Sequence, residues 1–412
     1  MLGKFARRLI AVAFACGLVL PITSAQAEQK EVILIGATMS LTGQHATNGR
    51  HSRKGYQLAV NLINENGGLE VGGRKYDLKV IYYDDESNPK LAAKFAKRLI
   101  SKDNVQFMLG PYSTAITEAV ADVTEKYRVP MVQANGASLS LFEKDRVYMF
   151  AVLSSADQYL TEALNLIAER TTVAGGDASS LKVAIAVEND SFSGDLRQGV
   201  LNAADKFDME VVIDEFLPRD FKDMTFILDK VKEQKPDILV VSGHEGGAML
   251  ATRQIKEQKV DVPMLAMTHC EGADIHGLLG VYADYTICAT QWSSDMPFKG
   301  KWFGGAHEYK KRFEAEYGYG PPYQAAESSA AVLVLADAIQ RAGSLDREKV
   351  RGALGNTDME TFFGWIRFDE TGKNVAKPII LRQLVKGRYL VVAPSGHAKH
   401  EVIYPRPKWS ER

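Results

Sequence analysis

At 412 residues the chain is long enough for two domains of ordinary size, each with its own core. Fifty basic residues stand against 51 acidic ones, and there is no long Lys/Arg block, which argues against nucleic acid as a partner. After the first 27 residues no apolar run approaches the ~18 residues of a membrane span.

Those first residues form an export leader. Lys4, Arg7 and Arg8 precede an apolar run at 9–20, and Ala25, Gln26 and Ala27 have the small-x-small form of a cleavage site. Residues 1–27 therefore read as a cleavable signal peptide and the periplasm as the destination. The surroundings of Arg7 and Arg8 fit the twin-arginine route poorly, and Phe14 and Cys16 make a poor lipobox. Cleavage leaves 385 residues with a net charge of −4. Of the cysteines, Cys270 and Cys288 remain; an oxidising compartment lets them pair, but spacing alone does not establish it.

In chain order, residues 31–37 are a first strand, followed by a polar turn at 39–51. Tyr56, Ala59, Val60 and Ile63 show helical spacing, ended by Asn66, Gly67 and Gly68. A strand at 76–83 and a helix at 90–101 follow. Residues 105–109 are a short apolar strand; Ile116, Ala119, Val120, Val123 and Tyr127 then mark one helix face, broken by Pro130 before a strand at 131–132. The pattern is βαβαβαβ, which predicts a parallel sheet with helices on both faces. It begins again near Tyr148, with strands at 182–187, 210–216, 238–242 and 263–267 separated by helices. A strand at 285–292, helices at 304–317 and 323–342, and strands at 365–368, 379–385 and 389–393 complete the chain.

Two turns stand out because each follows a strand and carries small hydroxyls: Ser113 and Thr114 in one, Ser138 and Ser140 in the other. In a doubly wound sheet such turns lie at the carboxyl edge, where ligands bind. Ser113 and Thr114 also begin a helix, beside unpaired N–H groups and the positive dipole end, which suits a carboxylate. The bland alternative is that either residue is only an N-cap.

The stretch VILIGATMSLTGQHATNGRHSRKGYQLAVNLINENGGL, with GPYSTAITEAVADVTEKYRVPMVQANGAS and FDETGKN, resembles the periplasmic leucine/isoleucine/valine-binding proteins, the substrate-binding components of branched-chain amino-acid ABC transporters. The resemblance implies an α/β fold of the type I periplasmic binding protein kind: two Rossmann-like lobes with parallel central sheets, joined by three hinge strands. The first lobe would be 28–150 plus 289–360, the second 151–288 plus 361–412. It further implies that Ser113, Thr114 and Ser138 hold a ligand carboxylate while the Gly136 carbonyl and Glu271 face its ammonium. Phe192 and His244 would come from the second lobe and Asn48 from the first, and together they make the side-chain pocket more polar than a leucine site wants.

The expectation is thus a binding protein and not an enzyme. It captures an amino acid, hands it to an inner-membrane ABC permease, and acts as a monomer without cofactor or metal. The same fold binding an aromatic carboxylate, an amide or urea is the alternative; a ligand sensor or a metal-binding protein ranks below it. No Gly-x-Ser-x-Gly elbow or phosphate loop is present. For a metal, His269, Cys270, Glu271 and His276 lie close in sequence and His244 could join them, but adjacent residues on an extended segment point to opposite faces.

Overall fold

The computed structural model describes residues 30–219 and 221–411, so the leader expected at 1–27 lies outside the described residues. Strands β1 (Glu31–Met39), β2 (Leu69–Val71), β3 (Arg74–Asp84), β4 (Phe107–Leu109), β5 (Met131–Gln133) and β6 (Met149–Ala151) form the first sheet, in the order β2-β3-β1-β4-β5-β6. Every neighbouring pair is parallel except the β2–β3 hairpin. Strands buried on both faces need apolar residues without alternation, and β1 supplies them: Ile33, Ile35, Ala37 and Met39 enter one core while Leu34 packs against another.

Helix α1 (Ala46–Glu65) covers one face of this sheet, and α2 (Pro89–Ser101) and α3 (Thr114–Tyr127) cover the other. The α2 start is capped by Asn88, whose side chain accepts from the Lys90 and Leu91 N–H groups, with Pro89 at the first helical position. Arg128, with φ 52°, ends α3 just before Pro130.

The second sheet has a parallel centre of β7 (Lys182–Glu188), β8 (Glu210–Leu217), β9 (Ile238–Ser242), β10 (Met264–Met267) and β11 (Ile287–Thr290). Helices α4 (Thr161–Val173) and α5 (Ser191–Lys206) lie on one face; α6 (Thr225–Gln234), α7 (Glu245–Glu257) and the short α8 (Ile275–Leu279) lie on the other. A small ladder, β12 (Lys299–Gly300) with β13 (Gly304–Gly305), leads into α9 (Ala306–Tyr317), α10 (Tyr323–Ala342) and α11 (Arg347–Gly355). The hairpin β14 (Asp358–Thr361) and β15 (Gly364–Arg367) follows, and then β16 (Ile380–Val385) and β17 (Arg388–Ala393) add an antiparallel edge. The full order is β17-β16-β11-β10-β9-β7-β8.

The chain passes between the sheets three times, after β6, after β11 and before β16. The passing segments are tied together: Gln291 Nε2 donates to the Ser154 carbonyl at 2.9 Å, Ser154 Oγ to the Lys377 carbonyl at 2.8 Å, and Asn374 Nδ2 to the Val152 carbonyl at 2.8 Å. Helix α10 returns to pack along α1. Phe362, Phe363, Ile366 and Phe368 share that first core, although the sequence reading gives everything from 361 onward to the second lobe. Several short elements escaped the sequence reading, among them β2, α8, the β12–β13 ladder, α11 and β14. The α11 start is signalled by Asp346, whose side chain accepts from the Lys349 N–H, but the helix is short and buries only Val350 and Leu354. No helix among the described residues is long and apolar enough to cross a membrane.

Candidate functional site

Each sheet has one place where strand order reverses. In the first sheet β1 lies between β3 and β4, and the helices after β1 and β4, α1 and α3, leave on opposite faces; in the second β7 lies between β8 and β9, and α5 and α7, after β7 and β9, do the same. Such switch points leave a crevice outside the carboxyl ends of the strands. The turns after β1 and β4, with the first residues of the helices they open, carry His45, Asn48, Ser113 and Thr114. Those after β7 and β9 carry Asp190, Phe192, His244 and Glu245. All eight line one cavity of about 470 Å³, within the usual range for a small-molecule site.

The first wall carries small hydroxyls and an amide at the start of two helices. Ser113 stands at the N-cap of α3 with φ 74° and ψ 151°, and its side chain makes no cap bond. That backbone region is essentially glycine's and costs a side-chain-bearing residue about 1–3 kcal/mol. Its Oγ is buried and makes no hydrogen bond. The cap-only reading of Ser113 is therefore corrected: the hydroxyl turns away from the helix N–H groups and into the cavity wall. Thr114 Oγ1 accepts from the Ser138 N–H at 3.4 Å, bringing the two hydroxyl turns into contact. Asn48 is 3 % exposed, and its Oδ1 is also without a partner. Gly49 lets α1 come this close, because a Cβ there would stand 1.9 Å from the Ser40 carbonyl oxygen.

The second wall is a cluster of imidazole and carboxylate groups. His244 Nε2 lies 2.9 Å from Asp190 Oδ2, and the His244 N–H points to Glu188 Oε2 at 3.4 Å. Burial by itself lowers the His244 pKa; the Asp190 bond and charge, with Glu188 and Glu245 behind, outweigh it and hold the ring above its ordinary value. Burial works to raise Asp190, and the His244 contact overcomes it, leaving the carboxyl below its usual range. Burial raises Glu245, whose Oε1 has no partner. His269 is pushed down to about 3 by burial first and by His244 second, which keeps it neutral.

Aromatic rings connect the walls. His45 from the first sheet's turn lies 5.4 Å from His244 and 5.5 Å from Tyr112, centroid to centroid. Phe192 packs edge-on against Tyr159 and His269. The Tyr112 hydroxyl reaches His269 Nε2 at 3.4 Å.

Three expected contacts are spent elsewhere. The Ser138 hydroxyl donates to the Asp195 carboxylate on α5, which also accepts from the Leu139 N–H at 2.7 Å. The Gly136 carbonyl accepts from Gln133 Nε2 at 2.8 Å. Neither residue lines the cavity. Glu271 lines a second cavity of about 490 Å³ and pairs with Arg382 Nη2 at 2.5 Å. The cause is covalent: Cys270 and Cys288 form a disulfide with Cα atoms 5.9 Å apart, and Cys288 is the register partner of Arg382. Tethering Cys270 there delivers its neighbour Glu271 to the guanidinium. His269, with φ 58°, turns back toward the cleft. The disulfide also removes Cys270 from the metal grouping considered earlier, and His276 sits against Gly387 instead.

The sequence reading missed His45, Tyr112, Glu188, Asp190 and Glu245. The usable signal was position alone: four of the five sit at or just after the carboxyl end of a switch-point strand, and His45 ends the turn after β1.

Comparison with known proteins bears on the fold and the family. The chain is 24 % identical over 342 residues to the leucine-, isoleucine-, valine-, threonine- and alanine-binding protein of Pseudomonas aeruginosa, covering 83 % of this chain and 87 % of that one. It superposes with a TM-score of 0.75 on the branched-chain amino-acid transporter substrate-binding protein LivJ of Streptococcus pneumoniae, solved with isoleucine, at 21 % identity and 88 % and 100 % coverage. A solute-binding protein of R. palustris in complex with benzoate matches with a TM-score of 0.74, 18 % identity and 88 % and 96 % coverage. Residues 32–388 fit the family model described as periplasmic binding protein, and the chain belongs to that family.

Proposed function

We propose that this protein is the periplasmic solute-binding component of an amino-acid ABC transport system. It is exported by the leader at 1–27, works as a monomer by binding and not by catalysis, and delivers its ligand to an inner-membrane permease. The two sheets would be the centres of two lobes, with the passages near 151–156, 290–298 and 368–380 as hinge strands. Ligand touching both walls favours the closed arrangement, since only there are both sets of contacts made.

The observation that carries this reading is Ser113: a strained backbone holding a buried, unpaired hydroxyl beside the N-terminus of α3. Strain of that kind persists where a site needs it, and a helix N-terminus with a free hydroxyl suits a carboxylate. Thr114 and Asn48 complete that end. An ammonium buried opposite needs an acid, and Glu245, with its unpaired Oε1, supplies one where Glu271 does not.

A second reading is an aromatic carboxylate, favoured by the rings of Tyr112, Phe192, His45 and His244 around the cleft and by the benzoate-bound relative. Calorimetric titration with leucine, isoleucine, alanine, threonine, benzoate, an amide and urea separates the two. Saturable binding of amino acids alone supports the first reading, and of benzoate alone the second. Binding of the amide or urea, with neither acid, would remove the carboxylate site.

A further inference from the structure

We propose that Glu188, Asp190 and His244 form a binding site for a divalent transition-metal ion such as zinc, completed by His269. The potential ligand atoms of the first three all lie within 4.8 Å of one another. They come from the end of β7 and from the turns after β7 and β9, so the second switch point assembles them; the sequence separates Glu188 from His244 by 56 positions. Two carboxylates balance the charge of a divalent ion, and imidazole with carboxylate is a donor set such ions accept.

A second observation comes from His269. It is 5 % exposed, its ring centroid is 5.3 Å from that of His244, and its ring, which faces the Gly243 backbone, leaves Nδ1 without a hydrogen bond of good geometry. A buried imidazole nitrogen without such a bond beside a histidine–carboxylate cluster is what an unfilled ligand position leaves behind. On binding, the proton shared between His244 Nε2 and Asp190 Oδ2 goes to solvent, and the imidazole lone pair takes the ion in its place. Glu245, assigned above to the ligand's ammonium, is not part of the set. The ion site therefore does not depend on which organic solute the cleft takes.

The test is made without any organic ligand, so that it stands apart from the solute assignment. Untagged protein, stripped with a chelator, is dialysed against zinc chloride. Metal per chain is measured by mass spectrometry, and affinity by competition with a chromophoric chelator. The expected result is one zinc per chain, lost in Glu188→Gln combined with His244→Gln, and weakened at least about tenfold in His269→Gln. His307→Gln with His400→Gln, both exposed and far along the chain, leaves stoichiometry and affinity unchanged. Circular dichroism checks that each variant is folded; should the double variant not fold, His269→Gln alone carries the decision. Absence of stoichiometric zinc, or the same zinc in the cleft variants as in wild type, overturns the proposal.

Discussion

The two hydroxyl turns of the first sheet begin with the same residue types and end in opposite conditions. At Ser113 the hydroxyl is buried and unpaired, and the backbone is held at φ 74°. At Ser138 the hydroxyl is used on Asp195, and the nearby Gly136 carbonyl on Gln133. One turn keeps its hydrogen-bonding capacity for something else, while the other uses it to join the first sheet's edge to α5. Residue type decides which bonds a turn is able to make; the neighbours decide whether they are still free. Glu271 repeats the lesson, since Arg382 has already taken its carboxylate.

That contrast is sharpest in binding. Ser113→Ala with Thr114→Val removes two bonds to a charged carboxylate at about 1.5–3 kcal/mol each, so affinity falls at least about a hundredfold by calorimetry. Ser138→Ala should cost far less, through looser closure only. Equal losses would erase the distinction between the turns.

Glu271→Gln is expected to reduce folding stability by about 1–3 kcal/mol in denaturant titration. The Arg382 side chain is 7 % exposed and would keep its charge without a carboxylate. Ligand affinity should stay within about twofold. A binding loss with unchanged stability would return Glu271 to the ligand.

Ser113→Gly relieves the backbone strain but frees the unfolded chain, for a net gain of about 1 kcal/mol, seen as a higher Tm together with weaker binding. A lower Tm would mean that the serine conformation is not strained.

A further test concerns Asp85, which carries both conditions in one carboxylate. Its Oδ1 accepts from Ser40 Oγ at 2.6 Å and from the Ser87 N–H at 3.0 Å, while Oδ2 is buried without a partner. Burial outweighs those bonds and raises its pKa from 3.8 to about 6. Between those values the folded chain binds more proton than the unfolded one. This group's contribution to stability is therefore present below pH 3.8 and is lost as pH rises to about 6. Asp85→Asn should flatten the Tm profile across that window. An unchanged profile would mean that the unpaired oxygen carries no cost.

Much of the fold was legible because its signals are local. Apolar runs such as VILIG and the i, i+3, i+4 spacing in α3 specify strand and helix from neighbouring residues, and the alternation of the two specifies a parallel sheet. A turn following a strand is known to lie at the carboxyl edge, so Ser113 and Thr114 could be named from order alone, whereas Phe192 and His244 came from the family resemblance. What tertiary structure alone decided was which polar groups remain available. Ser138 meets Asp195 across 57 positions, and Glu271 reaches Arg382 because a disulfide ties Cys270 beside it. His45 meets His244 only when residues from the turns of both sheets come to line one cavity. Hydrogen bonds and ion pairs act over about 3 Å, and a sequence does not state which distant residues fall within that reach until the chain has folded.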